Sequence, residues 1–355
     1  MLKNPKTYLA LALLPLYGIV KFLSGYPEIV ERVYSNGIYP YISKGFRFTL
    51  GWMPFSFGDF IYAFGIIYIL HWLFANRKRI ITDTINWIVD VLAATTVIYF
   101  AFHLFWGMNY YRLPLHSNLG LEADYTTEQL VKVTTLLTNK TNALQFKLTQ
   151  NDTLKVNIPL TKREIFKISE NGYRNLKAQF PHLDYSPKSI KMSLFSVPLT
   201  YMGFSGYLNP LTNEAQVDYL IPTYKFPTTT AHEMAHQLGY AAENEANFIG
   251  CLATINNDNL HIKYSGYSFG LRHCLNEIYH RDPNLYEDMV AKVNIGVLKN
   301  YEETRLFWEQ YTNPLEPIFK LTYSSYLEAN NQQGGMESYS YVVALLVNYF
   351  QEFDI

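Results

Sequence analysis

Three stretches near the start of the chain are so uniformly apolar that they restrict what the rest can become. They run from Tyr8 to Leu23 (YLALALLPLYGIVKFL), from Phe55 to Ala75 (FSFGDFIYAFGIIYILHWLFA) and from Ile85 to Trp106. The second and third reach the roughly 20 residues that a helix needs to cross the hydrocarbon of a bilayer. The first is interrupted by Pro15 and Lys21. No small-residue cleavage site follows Leu23, and further apolar runs come after it, so it reads as a retained span and not as a signal peptide. Buried core helices are the other use of such runs, and tryptophan placement favours the membrane. Trp52, Trp72, Trp87 and Trp106 lie near the ends of the runs, where an amphipathic ring prefers the headgroup layer; only Trp308 lies elsewhere. Asp59 and Asp90 fall inside the runs, each nearer one end than the middle. Such acids serve packing between helices or contact with the interface as well as function.

Basic residues in short connections predict the orientation. Lys3 and Lys6 precede the first run, and Asn76–Arg79 (NRKR) joins the second to the third. Both belong on the cytoplasmic side. The intervening loop carries Arg32, Lys44 and Arg47, accompanied by Glu28 and Glu31. The expected organisation is therefore a membrane region over 1–110 with three transmembrane helices and an extracytoplasmic catalytic domain over 111–355. The expected location is the cytoplasmic (inner) membrane, multi-pass, with the lipid bilayer as a partner.

Charged residues make up 17% of the chain, against about 25% for soluble domains. The deficit sits in the apolar third. A formal net charge of −1 gives no basic footprint for nucleic acid, so none is expected as a partner. Cys251 and Cys274 are the two cysteines, which excludes a disulfide scaffold and a cysteine-rich zinc module. Two buried free thiols are expected, the alternative being that they pair with each other in an oxidising compartment. Oligomeric state is not legible.

Beyond residue 110 the pattern is α+β. Thr126 and Gln129 stand at capping-box spacing ahead of a helical run, and LTKREIFKISENGYRNLKAQF predicts a second helix ended by Pro181. Between them, ALQFKLTQNDTLKVNI alternates about Asn151-Asp152 and predicts a hairpin. EAQVDYLIP (Glu214–Pro222) is the clearest strand, and Pro222 and Pro227 suit a sheet edge. The chain is mainly helical after it.

The chemistry concentrates in TTTAHEMAHQLGYAAENEANF, Thr228 to Phe248. Residues four apart share a helix face, so His232 and His236 can offer ring nitrogens to one ion at about 2.0–2.1 Å. Glu233, one step round, can miss the ion yet reach a water bound to it and act as base while that water attacks a carbonyl. Pro227 and Thr228–Thr230 signal the helix start, and Gly239 its stop. ENEANFIGCLATI then opens a second helix. Two histidines and one acid leave the fourth position of a zinc ion to water, the arrangement of a catalytic site. Glu243 is the expected third ligand of a single Zn2+: it shares a face with Asn247, Gly250, Cys251 and Thr254, small or polar residues that suit close packing. Glu245, the alternative, points with Ile249 and Leu252 toward an apolar layer. Asn247 is expected to support a histidine ligand by hydrogen bonding. His261, His273 and His280 read as surface or core residues.

HEMAH with ENEAN resembles the HExxH zinc metallopeptidases of gluzincin type, in which a Glu on a second helix is the third ligand and an Asp or Asn stands four residues on. The two helices are closer in sequence here than in the better-known families. A metzincin third histidine would fall at Ala242. More broadly, WGMNYYR, GFSGYLNPLTNEAQVDYLIP, the motif and GGMESYSYVVALLVNYF resemble one bacterial membrane family catalogued as a domain of unknown function (DUF3810). These resemblances imply a zincin-like metallopeptidase fold after the membrane region. The expected function is a membrane-anchored zinc metallopeptidase hydrolysing peptide bonds of a peptide or protein substrate. The alternatives are a cell-wall peptide amidase or peptidase, and a non-catalytic membrane receptor or assembly factor with structural zinc. A structural site needs no base such as Glu233, which weighs against the last.

Overall fold

The structure is a computed structural model that describes residues 4–332 and 339–352. Lys3 and residues 334–338 of the GGMESYSYVVALLVNYF stretch lie outside the described residues. In chain order the elements are α1 (Pro5–Leu23), α2 (Pro27–Ile29), a π-helical stretch (Val30–Ile38), α3 (Tyr39–Leu50), α4 (Phe57–Ala75), α5 (Arg79–Thr82), α6 (Thr84–Phe105), α7 (Leu115–Leu119), α8 (Thr127–Thr149), α9 (Lys162–Leu176), β1 (Ile190–Met192), α10 (Ser196–Met202), β2 (Gly206–Asn209) and β3 (Glu214–Val217). They are followed by α11 (Phe226–Gln237), α12 (Glu243–Ile255), α13 (Leu260–Arg281), α14 (Pro283–Val290), α15 (Ile295–Glu309), α16 (Glu316–Ala329) and α17 (Tyr339–Glu352). Among the described residues the fold is mostly helical, with one small sheet.

Among the described residues three helices, α1, α4 and α6, are long and apolar enough to cross a membrane. Their large side chains, among them Leu14, Phe64, Ile67 and Ile98, face outward. α1 packs along α6. Asp90 of α6 receives Lys6 at 2.7 Å and Arg79 at 2.9 Å. The start of α1 and the α4–α6 connection therefore lie on one side. At the other end of α4, Asp59 is fully buried and accepts from Leu194 N–H at 2.6 Å, Ser193 Oγ at 3.1 Å and the Tyr207 hydroxyl. Glu214 of β3 accepts the N–H groups of Phe57 and Gly58 at 3.2 and 2.6 Å. Two carboxylates thus meet the positive end of the α4 dipole and fasten that helix to the sheet.

The sheet has the order β1-β3-β2, with β1 parallel and β2 antiparallel to β3. This corrects the expected edge strand: Glu214–Val217 is central, with all four residues buried, and β2 is an edge. Pro222 and Pro227 lie beyond β3, so they say nothing of its pairing.

The expected hairpin is also absent. α8 continues through Ala143 to Thr149, because Leu130, Val133, Leu137, Thr141 and Gln145 keep a helical repeat on the buried face. The amide of Gln145 donates to the carbonyls of Asn151 and Leu154 at 2.7 and 2.6 Å, holding the irregular segment that follows. The predicted capping box forms at Thr126–Gln129, and a second one, at Thr161–Glu164, opens α9. The main core joins α8, α9, α11, α12, α13 and α17 through residues such as Leu137, Ile165, Met234, Leu252 and Leu271. Cys251 and Cys274 are both buried free thiols.

Candidate metal centre

α11 carries Pro227 in its first turn, where a missing N–H costs nothing, and is buried along nearly its whole length. It ends before Gly239, whose φ of 91° suits glycine alone. The turn that follows brings α12 back across α11. Gly250 permits the close approach: a Cβ there would lie 2.8 Å from the His232 backbone nitrogen.

This packing gathers three side chains from the two helices. Nε2 of His232 lies 3.0 Å from Nε2 of His236. Glu243 places Oε2 3.3 Å from His232 Nε2 and Oε1 3.6 Å from His236 Nε2. A tetrahedral ion with ligands at about 2.0–2.1 Å has ligand–ligand edges of about 3.3 Å, so the donor set fits zinc in size as well as in kind. His236 Nδ1 lies 2.7 Å from the carbonyl oxygen of Tyr240. A proton on Nδ1 leaves the Nε2 lone pair turned toward the cluster. The Tyr323 hydroxyl donates to Glu243 Oε1 at 2.7 Å.

The charges of these groups are strongly coupled. Burial pushes the His236 ring down to about 4, helped by the neighbouring His232. Burial works the same way on His232, but the Glu243 carboxylate outweighs it and raises that ring, with Asn247 adding to the effect. Burial opposes the charge on Glu243, yet hydrogen bonding to His232 and the field of His236 hold it at about 2. Glu233 is pushed up to about 8 by burial, against the pull of His232. One carboxylate is thus held as a permanent anion and the other retains affinity for a proton.

Glu233 is 3% exposed, and among the described residues its Oε2 has no hydrogen-bond partner. It lies against β2: a Cβ on Gly206 would stand 2.6 Å from Glu233 Oε1. Glu245 is elsewhere. Its Oε1 accepts the Leu115 N–H at 2.6 Å, within the field of Arg112, so it braces the entry to α7 and does not join the histidines. His273 and His280 lie on the wall of the adjoining cavity, apart from the histidine pair.

Several contributors were not legible in sequence. Helix ends leave carbonyls without partners, and the end of α11 is served by distant donors. The Tyr39 hydroxyl and Ser43 Oγ donate to the Gln237 carbonyl at 2.9 and 2.8 Å, Trp106 Nε1 to that of His236 at 3.1 Å, and Arg112 to that of Gly239 at 3.0 Å. Arg112 is held in turn by a buried bidentate pairing with Glu31. Trp106 and Arg112 bound the WGMNYYR stretch, so that stretch is a brace for the histidine helix. A cavity of about 1590 Å³ opens on the cluster, and its wall extends to Tyr62 of α4 and Phe102 of α6. The histidine helix, remote in sequence from the apolar runs, adjoins them in space.

The family described as "Protein of unknown function (DUF3810)" matches residues 34–347. Among curated proteins and solved structures, none matches the chain. The chain belongs to the DUF3810 family.

Proposed function

We propose that this DUF3810 member is a membrane-anchored zinc metallopeptidase with a zincin-like site, in which His232, His236 and Glu243 hold one Zn2+ and Glu233 is the general base. The carrying observation is the triangle of donor atoms at 3.0, 3.3 and 3.6 Å with an unbonded Glu233 oxygen beside it, facing a cavity large enough for a peptide. Zinc in such a site supplies Lewis acidity and lowers the pKa of bound water to about 7. Glu233 takes a proton at its carboxylate and returns it to the leaving amine; its raised proton affinity suits both halves of that task. Tyr323 holds Glu243 in place, and the Asn247 amide oxygen would hold the proton of His232 on Nδ1, leaving the Nε2 lone pair for the ion. β2, the edge strand on the side of Glu233, is where an extended peptide would pair. Three protein donors facing an open cavity argue against a structural zinc, which is closed by four.

The three apolar helices serve as anchors in the cytoplasmic membrane, with the cavity on the extracytoplasmic side. The test is metal content of the full chain purified in detergent, followed by cleavage profiling on a peptide library with and without a chelator. Stoichiometric zinc with chelator-sensitive cleavage is expected. A chain that binds no zinc, or that cleaves equally well after its removal, would end this reading.

A further inference from the structure

The cavity wall carries two positive charges that nothing in the wall balances. Lys225 lies immediately before α11, with Thr229, His232 and His236 following at four, seven and eleven residues, so all four share the helix face that lines the cavity. Lys225 Nζ donates to Ser205 Oγ at 3.0 Å and sits 5.4 Å from the centre of the Trp308 ring. Arg272 of α13 reaches the same wall, its guanidinium 5.8 Å from the Tyr301 ring centre. Among the described residues neither has a carboxylate within 4.0 Å.

The acids lining the cavity are engaged elsewhere. Glu233 and Glu243 belong to the histidine cluster. Glu277 holds Arg281 at 2.8 Å, Glu316 holds Lys320 at 2.6 Å, and Glu309 is paired with Arg305. Asp218, the acid whose field Lys225 feels, is fully buried and takes Thr200 Oγ1 at 2.6 Å and the Leu220 N–H at 2.8 Å. Burial and the neighbouring Arg272 together press the Lys225 ammonium down to about 8. They act on His273 in the same direction, where burial comes first and the two cations add to it. Two like charges crowded into a partly desolvated wall repel each other, and an anion set between them removes that cost.

We infer that Lys225 and Arg272 form an anion subsite that takes a carboxylate of the peptide substrate. The seven residues from Lys225 to His232 span about 10 Å of helix. An extended peptide advances about 3.3 Å per residue, so the carboxylate belongs about three residues from the cleaved bond. It is either an acidic side chain or the chain's own C-terminus. The subsite rests on the metallopeptidase reading for its substrate class, while its charge and geometry stand apart from the metal.

The experiment uses the zinc-loaded full chain in detergent and peptides built on a sequence from the cleavage library. One arm places Glu or Gln three residues to either side of the cut in chains amidated at the C-terminus. The other truncates the chain there as a free acid or an amide. A KM at least about tenfold lower for the carboxylate form is expected in one arm, the scale of a charge-assisted pairing. The arm that responds identifies the source. Lys225→Met and Arg272→Gln should each bring the acid-to-neutral ratio to within about twofold of unity, and Lys225→Arg should restore it. Equal handling of acid and neutral forms by the wild-type chain overturns the subsite, as does a preference that survives both substitutions. Cleavage of the neutral peptides reports separately on the peptidase reading. If neither set is cleaved, that reading has failed, and direct binding of the same peptides decides the subsite: tighter binding of the acid forms, lost in Lys225→Met, upholds it, and equal binding overturns it.

Discussion

Two pairs of helices in this chain lack a pronounced apolar stripe, and they lack it for opposite reasons. α4 and α6 are apolar all round and turn Phe64, Ile67, Leu70 and Ile98 outward. α11 and α12 hide almost every side chain, polar ones included. A helix without a polar face belongs either in lipid or in a core. The polar residues tell the two apart. In the apolar pair they are few, and Asp59 and Asp90 near the ends serve to fasten the helices. In the buried pair they are many, and His232, Glu233, His236, Glu243 and Asn247 among them line one cavity. The proposed function rests on buried polar groups that face one another beside a cavity.

The comparison breaks most completely if α4 and α6 do not cross a bilayer. A reporter active only outside the cytoplasm, fused after Ile355, should give full signal, and the same reporter inserted within Asn76–Arg79 none. Signal from both positions, or the reverse pattern, removes the membrane reading of these helices.

Next in size is the loss of the base. Glu233→Gln removes a proton carrier and no donor of the triangle, so hydrolysis should fall by about 10²–10⁴-fold while zinc stays bound. Metal analysis beside a turnover assay separates the two. Zinc lost together with activity would make Glu233 a ligand and leave the site without its base.

The buried pair was largely legible in sequence because its signals are local. A four-residue histidine spacing, a proline at the helix start, a glycine at its end and an acid on the next helix all sit within Phe226–Asn247. The placement of Glu243 beside the histidines, with Glu245 turned elsewhere, also agrees with local facing, since Glu243 shares its face with small residues. What failed depended on partners distant in the chain. Whether Glu214–Val217 is central or an edge is decided by β1 and β2, and no property of its own residues reports that. The alternation at Ala143–Leu148 was outweighed by a helical burial repeat that began a full three turns earlier. Tyr39, Trp106, Gly206 and Tyr323 reach the site from four separate places, and only Trp106 and Gly206 lay within stretches already singled out.

A sharper version of the ligand choice has a mid-sized expected effect. Glu243→Ala removes one corner of the donor triangle, and the protein should purify without stoichiometric zinc. Glu245→Ala should keep its zinc, because its carboxylate serves the Leu115 N–H instead. Leaving that buried donor unpaired costs about 1–3 kcal/mol, which a melting curve would register. If zinc is lost only from the Glu245 variant, the side chains have been assigned in the wrong order.

The smallest effects test the comparison itself, through the glycines of the two pairs. Gly65 of α4 has no atom within 4 Å of where a Cβ would stand, whereas at Gly250 of α12 that Cβ would lie 2.8 Å from the His232 nitrogen and 3.0 Å from its Cα. Gly65→Ala therefore meets no protein atom, and alanine is the better helix former by about 1 kcal/mol. Its melting temperature should hold or rise slightly, with zinc affinity unchanged. Gly250→Ala forces α12 away from α11 at the level of the first histidine. Such overpacking costs about 1–3 kcal/mol, and because the displaced helix carries Glu243, zinc affinity should weaken along with stability. A chelator competition on both variants, run beside thermal melts, reads the two quantities independently. Equal behaviour of the two glycine variants would mean that α11 and α12 are not held in contact as described, and the donor triangle would lose its physical basis.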